Sequence, residues 1–351
     1  MTSPTSAPEL FVAAVSSQIG DLVDIGDAVA AGHCAPALAR STAMQSAATS
    51  EDVAPPDLAA SAAEKALKHS GIDPESIGLL LHANFTYQGH DIWPAASYVQ
   101  RRTGARRALA LEIRQASNGG MAALQIAANY LGSSSLDHAL ITTGDRFVQP
   151  HFDRWRSDPG TVYGDGGTAL ILGTEGFAQL IAIHSRSEPE LERMHRGDDP
   201  FARTSLQYRT PVNLDLLKRQ YISRAGSGTT VARVSRGLLD VVAAALDDSG
   251  LTIDDVAHVV VPNFGRRRLE AGFLTPLGIP IEKTLWEWTR TVGHLGPGDQ
   301  IAGLDHLLRT RTVAEGDHCL MLGVGAGFSW TCAILRFTDT CRANGARLDR
   351  S

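Results

Sequence analysis

Residues 66–85 read ALKHSGIDPESIGLLLHANF, and residues 245–264 read ALDDSGLTIDDVAHVVVPNF. Ala66-Leu67, Ser70-Gly71 and Asn84-Phe85 return as Ala245-Leu246, Ser249-Gly250 and Asn263-Phe264, each 179 positions later and without a gap. Each copy spells a helix tail, a Ser-Gly helix stop, an acidic turn and a buried apolar strand. A second match lies downstream, Asp137-His138-Ala139-Leu140 against Asp317-His318-Cys319-Leu320, offset by 180. Both open short apolar strands. Two matches at nearly one offset point to an internal duplication at half-chain length.

The surrounding pattern alternates. Strands are expected at 77–83, 107–115, 138–143 and 167–173, with helices near 93–103 and 118–132. The second half gives helices at 233–248, 266–277 and 300–310 and strands at 256–262, 317–323 and 328–336. Such alternation predicts an α/β protein of layered helices and largely parallel sheets. Segment 26–60, rich in Ala, Ser and Pro, and the charged segment 185–230 read as irregular, the second as an excursion between the halves.

The 351 residues are 43% apolar and 20% charged, with a formal net charge of −6. A mildly acidic balance argues against nucleic acid or an anionic membrane surface as the main partner. No apolar run approaches the roughly 18 residues that span a bilayer. The N-terminal MTSPTSAPEL lacks the basic and apolar segments of a signal peptide and reads as a frayed tail. Cys34, Cys319, Cys332 and Cys341 show neither a metal spacing nor a secreted disulfide pattern, so a reducing cytoplasm is expected and a metal site is not.

Chemistry concentrates at Gln115-Ala116-Ser117-Asn118-Gly119-Gly120, between an alternating apolar run and an alanine-rich helix. A hydroxyl at a strand-to-helix turn can be a nucleophile, because unpaired N–H groups and the helix dipole favour developing negative charge there. Taken alone, Ser117 reads more plainly as a helix cap. The duplication adds weight to the other reading: its offset carries Ser117 to positions 296–297, beside His294 in Gly293-His294-Leu295-Gly296-Pro297-Gly298-Asp299. If these turns lie near the axis of a pseudo-twofold relating the halves, the two loops meet in one cleft. Serine needs a base, and the base needs a partner that fixes its tautomer. Ser117, His294 and Asp299 supply the three parts, although Asp299 also suits a helix N-cap and His294 a solvated loop. The run Gly323-Val324-Gly325-Ala326-Gly327 offers bare N–H groups that, with the amide of Ser117, suit a tetrahedral oxyanion, each donor contributing about 3 kcal/mol. Glycines there also suit a plain hairpin. The run 163–168, YGDGGT, lacks the lysine and spacing of a phosphate loop and reads as structural support.

The chain resembles the thiolase-fold ketosynthases of the β-ketoacyl carrier-protein synthase III type. The resemblance rests on LEIRQASNGG (111–120), GDGGTALIL (164–172), VVVPNF (259–264), TVGHLGPGDQIAGL (291–304) and GDHCLMLGVGAGFSW (316–330), in the family's order. It implies a thiolase-like fold, with duplicated αβ halves, here 1–178 and 179–351, in a layered αβαβα architecture. Condensing members have cysteine where this chain has Ser117, histidine where it has Asn263, and asparagine where it has His294. A non-condensing acyltransferase branch of natural-product pathways resembles this chain in having histidine at 294 and aspartate at 299, some members also replacing the cysteine by serine.

The resemblance therefore implies an acyltransferase of secondary metabolism. It would take an acyl or aromatic acyl group from a phosphopantetheine thioester on an acyl carrier protein to a hydroxyl, an amine or a second carrier thiol. The intermediate would be acyl-Ser117, with the amides of Ser117 and Ala326 holding the oxyanion and no bound cofactor. Asn263, Trp93 and His195 are the expected substrate-binding residues, and Arg154 and Arg156 are candidates for the donor's phosphate. Replacement of the family's coenzyme A arginine around Ser157–Gly160 favours a carrier-protein donor. A homodimer is expected. A silent partner subunit, a thioester hydrolase and a decarboxylative condensing enzyme are the alternatives.

Overall fold

The computed structural model describes residues 8–207, 210–310 and 313–338; most of the N-terminal tail, and Cys341, lie outside them. Its strands are β1 (Phe11–Ile19), β2 (Asp21–Asp24), β3 (Ser46–Thr49), β4 (Ile77–Ala83), β5 (Leu109–Ile113), β6 (His138–Asp145), β7 (Gly166–Gly173), β8 (Ala178–Ser187), β9 (His258–Val260), β10 (His318–Gly325) and β11 (Ser329–Phe337). β2 and β3 form a small ribbon, and the other nine run in the order β5-β4-β6-β7-β1-β8-β11-β10-β9. Read outward from β1 and from β8, the two arms repeat one arrangement. Where the first arm ends in β5, the second has an isolated parallel bridge between Val259 and Thr284.

Among the described residues the arms pair along a short seam, Phe11↔Gln179 and Val12↔Ala178, with Leu180 N donating to Leu10 O beside it. From this narrow seam they face each other across helices Gly119–Gly132 and Asp299–Thr310, which touch strands of both arms. Helix Pro55–Ser70 covers the outer face of β1, β6 and β7, and helix Ser227–Ser249 covers β8 and β11. The layers are therefore α, β, α, β, α.

Strand periodicity explains how one sequence serves three layers. Successive side chains alternate in face, so Leu79 and Leu81 enter the central core while Leu80 joins Ala59, Ala62 and Ala63 outside. Cys319 and Met321 likewise point to the centre, and Leu320 and Leu322 to Leu238 and Val241. Strands covered on both faces need apolar residues at every position, hence the unbroken runs. The Ser-Gly stops close helices Pro55–Ser70 and Ser227–Ser249 with left-handed glycines, φ +72° at Gly71 and +68° at Gly250.

Three expectations are corrected. The sheet is mixed: among the described residues only β4–β5, β4–β6 and β9–β10 are parallel. A loop as short as Ala326–Phe328 can return β11 to β10 only in the antiparallel sense. Segments 26–60 and 185–230 are not irregular, since they hold β3, the end of β8 and helices such as Pro36–Thr42 and Leu214–Ala225. The single helix expected at 266–277 is broken by a π-turn at Glu270–Leu274.

The approach of helix Pro55–Ser70 to β7 is a backbone contact. A Cβ on Gly167 would collide with the main chain of Leu58 and Ala59, which no rotamer change relieves. Gly167→Ala is expected to destabilise the fold by about 2 kcal/mol, read as a lower urea midpoint at unchanged slope.

Candidate active site

Ser117 sits in a single 3₁₀ turn, Ala116–Asn118, at the mouth of helix Gly119–Gly132. The turn is tight enough to place Ala116 at φ +46°, a conformation that costs a non-glycine residue free energy. The opposing turn Gly296–Gly298 precedes helix Asp299–Thr310. The two turns touch: a Cβ on Gly120 would overlap the carbonyl oxygen of Pro297. β10 closes the third side, where a Cβ on Gly325 would strike the Gln115 carbonyl.

His294 is held by its backbone before its ring does anything. Its N–H donates to Val162 O at 2.9 Å, and its carbonyl accepts from Gly164 N at 2.9 Å. The ring stands between Tyr163 and Phe264, with centroids 4.9 and 5.0 Å away. Nε2 lies 2.8 Å from Ser117 Oγ, and Nδ1 lies 2.5 Å from Asp299 Oδ2. Asp299 also accepts from Asn263 N at 2.8 Å and Leu295 N at 2.7 Å. A carboxylate facing Nδ1 selects the tautomer with its proton there, leaving Nε2 free to accept from the serine hydroxyl. His294 and Asp299 are buried, whereas Ser117 is partly accessible.

Ser117 and His294 open into a cavity of about 640 Å³. Apolar walls come from Met194, Leu238, Phe264, Phe273, Phe328 and Trp330. One polar stretch is closed on itself: Arg268 grips Asp158 through Nη1 and Nη2, at 2.7 and 2.5 Å, and Tyr163 donates its hydroxyl to the same carboxylate at 3.1 Å. Burial opposes ionisation of Asp158, but the Arg268 charge and these hydrogen bonds outweigh it and hold the carboxyl at about 2. Burial, and then the Asp158 charge, raise the Tyr163 phenol well above its ordinary value.

Of the residues singled out in the sequence, Ser117, His294 and Asp299 come together, and Ala326 and His195 line the same cavity. The backbone N–H groups of Ser117 and Ala326 have no acceptor among the described residues. Two expected substrate-binding residues are not cavity-lining. Asn263 lies behind the histidine, its side-chain nitrogen donating to Gly293 O at 3.0 Å and so bracing the His294 turn. Trp93 lies in the loop before helix Ala95–Thr103, packed on His90 and Tyr98. Arg154 and Arg156 are also taken up within the fold, Arg154 by Asp165 and Arg156 by the Gly32 and His33 carbonyls.

Residues 111–189 match the family 3-oxoacyl-[acyl-carrier-protein (ACP)] synthase III, and residues 246–337 match its C-terminal family. The chain belongs to the synthase III family. The β-ketoacyl-[acyl-carrier-protein] synthase III of Thermosynechococcus vestitus is 29% identical over 287 residues, 80% of this chain and 83% of that protein. The solved structure of ChlB3, described as an acyltransferase, is 36% identical, with a TM-score of 0.90 over 94% of this chain and 98% of its own. The priming β-ketosynthase of the R1128 polyketide pathway shares the fold at 22% identity, with a TM-score of 0.74 over 97% of this chain and 99% of its own. The thiolase-like layering of the synthase III family is thus the architecture described above.

Reading the sequence missed Asp158, Arg268 and Tyr163. It also missed Asp145, at the end of β6. Asp145 is fully buried, and its Oδ1 accepts from Phe85 N at 2.8 Å, Thr86 N at 2.5 Å and Thr86 Oγ1 at 2.8 Å. Its Oδ2 is buried without a partner, and burial lifts the carboxyl to about 7 despite those donors. The folded state therefore binds this proton more tightly than the unfolded chain. Its contribution to stability is full below about pH 4 and is lost as pH rises toward about 7. Asp145→Asn cannot ionise. Its unfolding free energy relative to the parent should shift in the variant's favour between those two pH values, as urea titrations at each would show; a difference independent of pH would contradict the assignment.

Proposed function

We propose that this chain is an acyltransferase that carries its acyl group on Ser117 and performs no condensation. The observation that supports this best is the unbroken line Ser117–His294–Asp299 opening onto a cavity with largely apolar walls. The donor is a thioester on the phosphopantetheine arm of a carrier protein. Ser117 Oγ attacks the thioester carbonyl as its proton passes to His294 Nε2. The N–H groups of Ser117 and Ala326 receive the oxyanion. On collapse the carbon–sulfur bond breaks, and the departing thiolate takes the proton from His294, leaving an oxygen ester on Ser117. His294 then accepts the proton of a hydroxyl or amine acceptor, which attacks the ester carbonyl, and the proton is returned to Ser117 as it leaves. Asp299 keeps the ring oriented and stabilises the imidazolium formed in each half. No bound cofactor enters this sequence, and a cytoplasmic setting is part of the proposal.

A hydroxyl or amine acceptor fits better than a second carrier thiol, because an oxygen ester is less activated than a thioester. Condensation fits less well. The family's decarboxylation pair would stand at positions 263 and 294, but Asn263 turns its side-chain nitrogen to Gly293 and His294 is engaged by Ser117 and Asp299. The halves 1–178 and 179–351 are proposed as duplicated units that each supply one turn of the site.

Intact-protein mass spectrometry after exposure to acyl-phosphopantetheine thioesters, from acetyl to malonyl and aromatic acyl groups, tests the proposal. One acyl mass on the protein, absent from Ser117→Ala, is expected; no adduct with any donor would favour a silent partner subunit, and carbon dioxide from a malonyl donor would favour condensation.

A second copy of the chain is the proposed partner along β5. Among the described residues this strand ends the sheet and exposes Leu109 and Leu111, at 50% and 43%, and the next helix exposes Ile126 and Tyr130. A free edge with apolar side chains is a template for pairing. Leu111→Glu should convert a dimer to a monomer in light scattering; an unchanged mass would place the interface elsewhere.

A further inference from the structure

Asp145 is a buried carboxylate beside the site that the proposed chemistry does not use. Its Oδ1 is filled by three donors, Phe85 N, Thr86 N and Thr86 Oγ1. Its Oδ2 is buried and has no partner among the described residues. That oxygen faces the turn that follows His294: a Cβ on Gly296 would stand 3.6 Å from it. With glycine at 296, no side chain from that position screens the carboxylate from the His294 turn. The surrounding packing is aromatic, Phe147 lying 4.7 Å from Tyr163 and Tyr163 4.9 Å from His294 between ring centroids. Charge acts over longer distances in such apolar surroundings than in water.

Other charged groups around Asp145 are engaged elsewhere. Arg146 turns its guanidinium to the carbonyls of Ser50, Glu51 and Val53, and Arg114 reaches the Phe85 carbonyl. Asp165, beside the β7 partner Gly166, is held by Arg154. His82 on β4 bonds Thr142 and Gln88, and burial lowers it to about 4, so it is neutral. Tyr163 stays a neutral phenol, raised chiefly by burial. From the facing turn come Asp299 and His294, bonded to each other. Burial raises the Asp145 carboxyl to about 7, against the Thr86 and Phe85 donors and the His294 charge. Coupling between two sites is reciprocal. A charged His294 favours the Asp145 carboxylate, so that carboxylate favours charge on His294 equally.

We infer that Asp145 is a positioning residue whose carboxylate, acting through His294, stabilises the imidazolium that forms as Ser117 attacks. This inference rests on the acyltransferase reading and deepens it by adding a regulation of the same site by pH. Asp299 orients the ring by direct contact, whereas Asp145 acts without contact and only when ionised. No bond is made or broken at Asp145. An interaction that grows as the imidazolium forms lowers the barrier without tightening ground-state binding. Ser117 is therefore served by a stronger base above about pH 7 than below it.

The test follows the rate at which a serine-directed fluorophosphonate modifies Ser117, read by intact-protein mass spectrometry across a pH series. In this probe reaction Oγ bonds to phosphorus, fluoride leaves with its electron pair, and His294 takes the serine proton. The parent and Asp145→Asn should react at similar rates well below pH 7. Well above it the parent should be faster by about three- to tenfold, the effect of a coupling near one pKa unit. A merely structural role for Asp145 would give a ratio independent of pH. Thr86→Val removes one donor to Oδ1 and should move the parent's rise in rate to higher pH, a readout that stands even where Asp145→Asn fails to fold. A parent-to-variant ratio that is constant across the series, or a rise that stays in place in Thr86→Val, overturns this inference alone. Absence of any Ser117 adduct overturns Ser117 as the activated nucleophile, and the acyltransferase reading and this inference with it.

Discussion

The turn Ala116–Asn118 and the turn Gly296–Gly298 meet through backbone atoms, with Gly120 against the carbonyl of Pro297. Nothing as large as a methyl group fits between them. That closeness lets a serine at the head of one half reach a histidine just before the head of the other, at 2.8 Å. β10 applies the same constraint from a third direction, since a Cβ on Gly323 would meet the Asn118 side chain and one on Gly325 the Gln115 carbonyl. The left-handed Ala116 is held by these surroundings; an isolated turn would relax it. The Ser117–His294 distance is therefore a property of the contact between the two turns.

Two buried carboxylates near the cavity show how environment assigns different work to one functional group. Asp158 is closed in a bidentate pair with Arg268, with Tyr163 and the Gly160 N–H completing its shell. Removing one partner of such a pair strands the other charge, so the unit acts as a fixed wall of the cavity. Asp299 accepts two backbone N–H bonds and presents its remaining direction to His294. Its orientation is fixed by the main chain, and with it the imidazole tautomer. His294 inherits a rigid frame on both sides, from Asp299 and from the Tyr163 and Phe264 rings.

The repeat at 66–85 and 245–264 carries more than the strands it spells. Its offset pairs Ser117 with the His294 turn, and a pseudo-twofold brings such a pair together when both turns lie near its axis. β1 and β8 are not legible as the strands that join the two arms. β1 is buried along much of its length without strict alternation, and β8 runs into a charged segment that resembles loop. Asp158 and Arg268 are hidden for another reason. They are 110 positions apart, and no local period links them. Asn263 lies beside the site, with its side-chain nitrogen on the Gly293 carbonyl. Spacing shows which residue is near and leaves the direction of its amide open. Trp93 packs on His90 and Tyr98 within its own loop, a contact that the local sequence does not spell out.

The departures at 117, 263 and 294 from the residues that the synthase III resemblance implies read as one coupled change. A cysteine can attack as a thiolate, of which some is present near neutral pH, whereas a serine hydroxyl needs a base within hydrogen-bond reach. Placing serine at 117 therefore demands a base, and histidine at 294 stands where one is needed. A neutral imidazole there must have its proton on the far nitrogen, and Asp299 faces that nitrogen. A second histidine at 263 would then have no proton to manage. Asparagine instead braces Gly293, the residue before His294, and its backbone N–H helps to hold Asp299. Each substitution is chemically weak without the others. Their occurrence together supports acyl transfer through an oxygen ester and fits a condensing site poorly.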